Sequence, residues 1–142
     1  MFSFGYLNWL AGQAFSAAMM TWQVSVPLLA ALAAVSIWHF AFRRQRLTRR
    51  YLDFLLPFLP MILVLALGTI MNYDHRESIP WLYRISLPLV NILSLIQLLM
   101  NVLLVFLNRG FRLISAGVGL IQAWTGFWIS AVAGMSISGV WL

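Results

Sequence analysis

The sequence predicts an all-α, polytopic integral membrane protein with four transmembrane helices, arranged as two hairpins, and a short N-terminal interfacial helix. Of its 142 residues, 63% are hydrophobic and 8% are charged, whereas a typical soluble domain has about 25% charged residues. The apolar residues form four runs of membrane-spanning length. These runs are continuous, whereas a transmembrane β-barrel needs short segments of alternating polarity. We therefore expect one helical domain over residues 1–142.

The N-terminal segment, residues 1–16, is apolar, aromatic and uncharged. As a helix it would extend about 24 Å, which is short of a hydrocarbon core of about 30 Å. We interpret it as an interfacial helix with Tyr6, Trp9 and Phe15 at the level of the lipid headgroups. The first span is predicted over 17–42, with Pro27 inside it as a kink that a membrane helix tolerates.

The remaining spans are predicted over 51–71, 79–107 and 113–135. Pro57 and Pro60 lie in the first half of the second span. Pro80 suits the first turn of the third span, because the N–H that proline lacks has no helical partner there. A short polar loop over 72–78 joins these two spans and contains two of the three acidic residues of the chain.

Arginine placement predicts the orientation. The turn between the first two spans and the turn after the third contain seven of the nine arginines, and Arg76 and Arg84 lie on the opposite face. The positive-inside rule places the basic face in the cytoplasm of a bacterial inner (plasma) membrane, with both termini on the non-cytoplasmic side. We expect anionic lipid headgroups, and not nucleic acid, to bind these turns. The first of them contains Arg43, Arg44, Arg46, Arg49 and Arg50.

Candidate residues for chemistry are few. His39 and His75 are predicted on opposite sides of a hydrocarbon core of about 30 Å, so they cannot share a ligand. Asp74, His75 and Glu77 lie in a polar loop without the spacing of metal ligands. The chain has no cysteine, which excludes thiolate sites. We expect no catalytic residues, no metal and no cofactor, and we interpret the protein as not an enzyme.

A polar stripe marks the third span. Its members fall within an arc of about 140° on a helix of 100° per residue. Uncharged amides are costly to bury in lipid without a partner, so this face is expected to contact protein or water. Hydrogen bonding between helices is the preferred interpretation, and the alternative is the wall of a hydrophilic pathway. The stripe consists of Arg84, Asn91, Ser94, Gln97, Asn101 and Asn108.

Small residues mark one face of the fourth span. Gly119, Gly126, Ser130 and Gly134 recur at intervals that allow close helix packing, and the partner lies either within the chain or in another subunit. Trp124 and Trp128 lie on the opposite face. Trp124 is predicted near the membrane midplane, where its N–H needs an acceptor. Another subunit, a lipid or a pigment-like ring would each suit these indoles, and so would plain exposure to lipid.

The function expected from these patterns is that of a non-catalytic integral membrane subunit. Two helices have faces suited to close or polar packing, so we expect the protein to anchor or pack within a hetero-oligomer of integral membrane subunits. The alternative is a small oligomeric transporter or channel whose pathway is lined by the polar stripe.

Overall fold

The computed structural model describes residues 3–43, 54–72, 80–108 and 111–140. These residues form helices and turns, without strands. Three of the helices are long and apolar enough to cross a membrane, namely the second, the fourth and the fifth. The helices are α1 (Phe4–Met20), α2 (Trp22–Arg43), α3 (Phe58–Ile70), α4 (Pro80–Leu107) and α5 (Arg112–Ser138).

Helix α1 is longer than the predicted interfacial helix and ends inside the predicted first span. Its side chains Leu10, Ala14 and Ala18 recur every four residues and are buried in the bundle. At its end, the Thr21 hydroxyl donates hydrogen bonds to the carbonyls of Ala17 and Ala18, at 3.1 and 2.9 Å. The helical conformation is interrupted at Thr21, so residues 17–42 belong to two helices. The location of α1 at the headgroup level stays a prediction.

Helix α3 is shorter than the predicted second span. It begins at Phe58, with Pro57 at the N-cap, and Pro60 lies in its first turn. Neither proline has an N–H to donate, and both are tolerated at a helix start because the first N–H groups have no helical acceptor. Its 13 residues extend about 20 Å, against a hydrocarbon core of about 30 Å. The described residues therefore contain three helices of spanning length, where the sequence predicted four.

Helices α4 and α5 agree closely with the third and fourth predicted spans. Helix α4 begins at Pro80, as expected, and continues through Pro88. Helix α5 ends three residues later than predicted, at a C-cap formed by Gly139 in the left-handed conformation (φ 72°), whose N–H donates to the Met135 carbonyl. Pro27 likewise lies inside α2, as a tolerated proline.

Helix α5 is the centre of the fold, because it packs against each of the other four helices. Helix α2 is peripheral. Of its apolar stretch, Trp22–His39, 6% is buried inside the protein, whereas 28% of the apolar stretch of α5 is buried. Helices α4 and α5 pack as a hairpin. The helices of the other expected hairpin, α2 and α3, each pack more on α5 than on one another. The core consists of Leu10, Ala14, Met61, Val64, Met71, Val90, Ile129, Val132, Ala133 and Ile137.

Candidate packing site on helices α4 and α5

The predicted polar stripe and small-residue ladder meet each other in the α4–α5 hairpin. Residues with higher numbers on α4 contact residues with lower numbers on α5, so the two helices are antiparallel. We call this contact the α4–α5 seam. It contains Ser94, Gln97 and Asn101 of α4 and Gly119, Gln122, Gly126 and Ser130 of α5.

Two hydrogen bonds cross the seam near the middle of both helices. The hydroxyl oxygens of Ser94 and Ser130 lie 2.6 Å apart. Ser94 donates its proton to the Val90 carbonyl at 2.8 Å, so Ser130 is the donor between the two serines. One turn further along, Gln97 Nε2 donates to the Gln122 carbonyl at 2.7 Å. These bonds join the two helices by side chains as well as by apolar contact.

Gly126 makes room for the Gln97 amide. A Cβ atom at this position would lie 2.6 Å from Gln97 Cδ, which is closer than real Cβ atoms approach. Glycine therefore allows the amide to lie close to the α5 backbone. At Gly119 an added Cβ would meet Asn101 Cβ at an ordinary 3.5 Å, and at Gly134 it would meet Leu87 at 3.9 Å. The partner of the ladder in this chain is thus α4, with the tightest contact at Gly126.

Further along the seam, toward the turn between the two helices, buried polar groups are not paired. Within the part of the chain that the structure describes, neither amide atom of Asn101 makes a hydrogen bond. The same holds for Asn108 Nδ2, Ser115 Oγ and Gln122 Oε1. The Gln122 amide nitrogen does have a partner, because it donates to the Phe54 carbonyl at 2.7 Å. The part of the seam around Ser94 and Gln97 is therefore joined by hydrogen bonds. Toward the turn, buried polar atoms have no hydrogen-bond partner among the described residues.

The polar stripe divides into two sets. Ser94, Gln97, Asn101 and Asn108 fall within about 60° of one another on a helical wheel, and Asn91 and Arg84 lie about 60° to 80° further round. All four members of the first set are buried or half-buried, whereas Asn91 and Arg84 are exposed. The single stripe expected from the sequence thus has a buried part in the seam and an exposed part beside it.

Asn91 lines a surface groove beside the seam, which we call the α4–α5 groove. The groove has a volume of about 480 Å³, and its polar lining comes from Asn91, Ser94, Gln97 and Ser130. Small residues of α5, among them Ala123 and Ala131, also line it. Polar atoms and a low wall of small side chains therefore face outward at this point.

Trp124 connects α5 to α2. Its indole Nε1 donates to Ser25 Oγ at 3.1 Å, and the Ser25 hydroxyl donates to the Ala18 carbonyl at the end of α1. The rings of Trp124 and Trp128 are 5.9 Å apart and nearly perpendicular. The acceptor of the Trp124 indole N–H is thus a serine 99 residues away. No local sequence pattern predicts this pairing. Trp128 Nε1 is buried and has no hydrogen-bond partner among the described residues.

A second contact, around Gly68, is not evident from the sequence. Ser136 Oγ donates to the Gly68 carbonyl at 2.8 Å and therefore receives the proton of the Tyr6 hydroxyl, also at 2.8 Å. One serine thus joins α1, α3 and α5. The sequence predicts Tyr6 at the headgroup level, and that depth stays a prediction. The only sequence signal for this contact is the presence of small residues, Gly68 and Ser136, in apolar helices.

Several predicted features lie outside the described residues. These are the basic turn residues Arg44, Arg46, Arg49 and Arg50 and the polar loop that contains Asp74, His75 and Glu77, and the side chain of Arg43 is likewise not described. His39 is described: it is 4% exposed, and its ring centroid lies 4.6 Å from that of Phe111. Among the described residues, no group of three His, Cys, Asp or Glu side chains lies close enough to hold a metal.

The fold and the site define an all-helical protein with three helices capable of crossing a membrane and a polar seam between two of them. No protein-family model, curated protein or solved structure matches the chain.

Proposed function

We propose that this protein is a non-catalytic integral membrane subunit that packs against other integral membrane subunits through the α4–α5 groove. The observation that supports the proposal is the exposed amide of Asn91 on an apolar helix. Asn91 lies within about 4 Å of the middle of α4, at about 1.5 Å per residue. In a membrane this position is near the centre of the hydrocarbon core.

An amide in that position needs a partner. Transfer of an unpaired amide to a hydrocarbon phase costs several kcal/mol, and lipid tails have no donor or acceptor to offer. A neighbouring transmembrane helix with a hydrogen-bonding side chain provides both. Water in the groove would provide them as well.

The shape of the groove suits a helix. Gly126, Ala123 and Ser130 give α5 a low profile on this side, and small residues allow helix backbones to approach closely. The exposed surface on both sides is apolar, for example at Leu98 and Phe127, which are 47% and 59% exposed. A polar centre with an apolar rim therefore fits a partner helix that is apolar apart from one or two polar side chains.

Replacement of Asn91 by leucine is expected to weaken retention of the partner about threefold to thirtyfold, since hydrogen bonds between membrane helices contribute about 0.6 to 2 kcal/mol. The measurement is quantitative mass spectrometry of subunits that co-purify from native membranes. Asn91→Gln keeps the amide and serves as the matched control. Equal recovery of the same partners with wild type and Asn91→Leu would refute the proposed contact.

We further propose that the protein lies in a bacterial inner membrane with both termini outside the cytoplasm, and that the arginine turns bind anionic headgroups. This orientation requires an even number of crossings, so the proposal includes residues 51–71, of which α3 is a part, as a fourth span in addition to the three helices of spanning length. The support is the distribution of arginines, seven in the turns after the first and third predicted spans and two elsewhere. A reporter that is active only outside the cytoplasm is expected to work after Leu142 and to fail after Arg46. The opposite activities would reverse the orientation. Activity at both positions would mean an even number of crossings between them and would refute the fourth span at 51–71.

The rival function, a small oligomeric transporter or channel, is favoured by a different observation. Buried polar atoms of Asn101, Asn108 and Ser115 have no hydrogen-bond partner among the described residues, and buried polar groups are commonly satisfied by water. A chain of water molecules there would begin a hydrophilic route. The absence of native cysteine makes this alternative directly testable.

Cysteines introduced singly at Ser94 and Asn101 are expected to be protected from membrane-impermeant thiol reagents, because thiolate forms readily only where water has access. Ser3→Cys, at an exposed position, is the positive control, and Leu99→Cys, on the outer face of α4, is the control for burial in lipid. Labelling of both seam cysteines at the rate of Ser3→Cys would favour the channel over the packing subunit.

A further inference from the structure

A second concave site lies on the other side of α5 from the groove. This cavity lies between α1, α2 and α5, reaches Leu65 of α3, and has a volume of about 380 Å³. Ligand pockets in proteins are typically about 300 to 1,000 Å³ and mostly apolar. Phe15 and Leu29 line it and are 64% and 49% exposed, so the cavity is continuous with the outer surface between α1 and α2.

The polar atoms around the cavity are already engaged. The Ser25 hydroxyl donates to the Ala18 carbonyl and accepts from Trp124 Nε1. The Thr125 hydroxyl donates to the Ile121 carbonyl at 2.9 Å, within its own helix. The rest of the lining consists of alanine, leucine, isoleucine, methionine and aromatic side chains. The lining of the cavity is therefore apolar, and it has no unpaired hydrogen-bond donor for a ligand.

The depth of the cavity limits what reaches it. Its wall on α5 extends from Ile121 to Ile129, about 12 Å at 1.5 Å per residue. Thr125 is the central residue of the 27-residue α5, about 20 Å from either end of that helix. In a membrane this level contains hydrocarbon chains, whereas headgroups lie at the interfaces.

We infer that this cavity binds one acyl chain of a membrane phospholipid, with the chain in contact with Trp124. The inference rests on the membrane location proposed above, but it does not depend on the partner at the α4–α5 groove. A hydrocarbon chain matches the apolar lining, and phospholipid is the most abundant source of such chains in a bilayer, so mass action favours it where no polar group selects another lipid. A filled cavity also restores the dispersion contacts that an empty one lacks.

Photolabelling tests the inference. The protein is reconstituted in vesicles that contain a phospholipid with a diazirine near the end of one acyl chain, irradiated, and mapped by peptide mass spectrometry. Adducts are expected to concentrate on cavity residues such as Ile121 and Trp124. Ala11→Phe fills the cavity from α1 and is expected to lose most of these adducts. Ala30→Phe adds the same ring at an exposed position of α2 that does not line the cavity, and it should label like wild type.

Native mass spectrometry of the same proteins gives an independent readout. Wild type and Ala30→Phe should retain one phospholipid mass per chain, and Ala11→Phe should lose it. Ala11→Leu, a smaller change, covers the case in which Ala11→Phe does not fold. Adducts spread evenly over exposed side chains such as Leu99 would overturn the inference. Retention of an isoprenoid lipid would also overturn the inference. Retention of a second copy of this chain, displaced by Ala11→Phe, would do the same. Release of the protein from membranes by alkaline carbonate would instead refute the membrane location itself.

Discussion

Replacement of Gly68 by leucine is expected to leave little folded protein. An added Cβ at Gly68 would lie 2.9 Å from Ala133 Cβ, 3.0 Å from Ala133 Cα and 3.0 Å from Leu10 Cδ2. Leu10 and Ala133 are both completely buried. The nearest obstacles include the backbone of α5, which cannot rotate away as the end of a long side chain can. A larger residue therefore forces α1, α3 and α5 apart at the point where they meet.

Alanine at the same position gives a measurable version of this effect. Overpacking of a well-packed core costs about 1 to 3 kcal/mol, partly offset by up to about 1 kcal/mol because alanine favours the helix over glycine. The measurement is the midpoint of thermal unfolding in mild detergent, followed by size-exclusion chromatography. Gly12→Ala is the matched control, because its Cβ would meet no atom within 4 Å, and it should be neutral or stabilising. If both variants melt at the same temperature, the close packing at Gly68 is wrong.

Replacement of Gly126 by alanine is expected to release the Gln97 side chain from the seam and to break its bond to the Gln122 carbonyl. The added Cβ would lie 2.6 Å from Gln97 Cδ, so the amide has to move. A hydrogen bond between membrane helices contributes about 0.6 to 2 kcal/mol, and the displaced amide then needs another partner. Because the ladder contacts α4 of the same chain, the effect should appear first in the stability of the monomer and only afterwards in assembly.

A double-mutant cycle identifies the cause of the Gly126 effect. With Gln97→Ala in the background, the obstacle to a Cβ at Gly126 is gone, so Gly126→Ala should cost little. The difference between the two backgrounds is the coupling energy of the pair, expected at about 0.5 to 3 kcal/mol for residues in contact. Equal losses in both backgrounds, measured by the same thermal assay, would mean that the side chain of Gln97 is not what Gly126 accommodates.

The polar stripe illustrates what periodicity determines and where it stops. The spacing of Ser94, Gln97 and Asn101 puts these three polar side chains on one side of α4, because 100° per residue fixes which side chains share a side of a helix. The arc of about 140° that also includes Asn91 and Arg84 is wider than the contact made with α5. The position of α5 decided which members are buried, and that position depends on Gly126 and on residues of other helices.

For helix α1, unlike the polar stripe, the local sequence does not predict what the helix contacts. Its composition is apolar and aromatic without charge, which suits an interfacial helix and a core helix equally well. Its small hydrophobic face, with Leu10, Ala14 and Ala18, becomes informative only beside Gly68 and Ala133, which are distant in sequence. The burial of α1 is therefore a property of the contact among three helices.

Local signals in the sequence are enough to predict the helical class, the approximate positions of α4 and α5 and the residue types of the seam. Long apolar runs, Pro80 at a helix start and helical periodicity are local signals, and they act within a few residues of where they occur. Tertiary structure alone decided the break at Thr21, the shortness of α3, the pairing of Trp124 with Ser25 and the cavity between α1, α2 and α5. These features arise from contacts between residues far apart in the chain, and the local pattern of one helix does not identify the residue on another helix that it contacts.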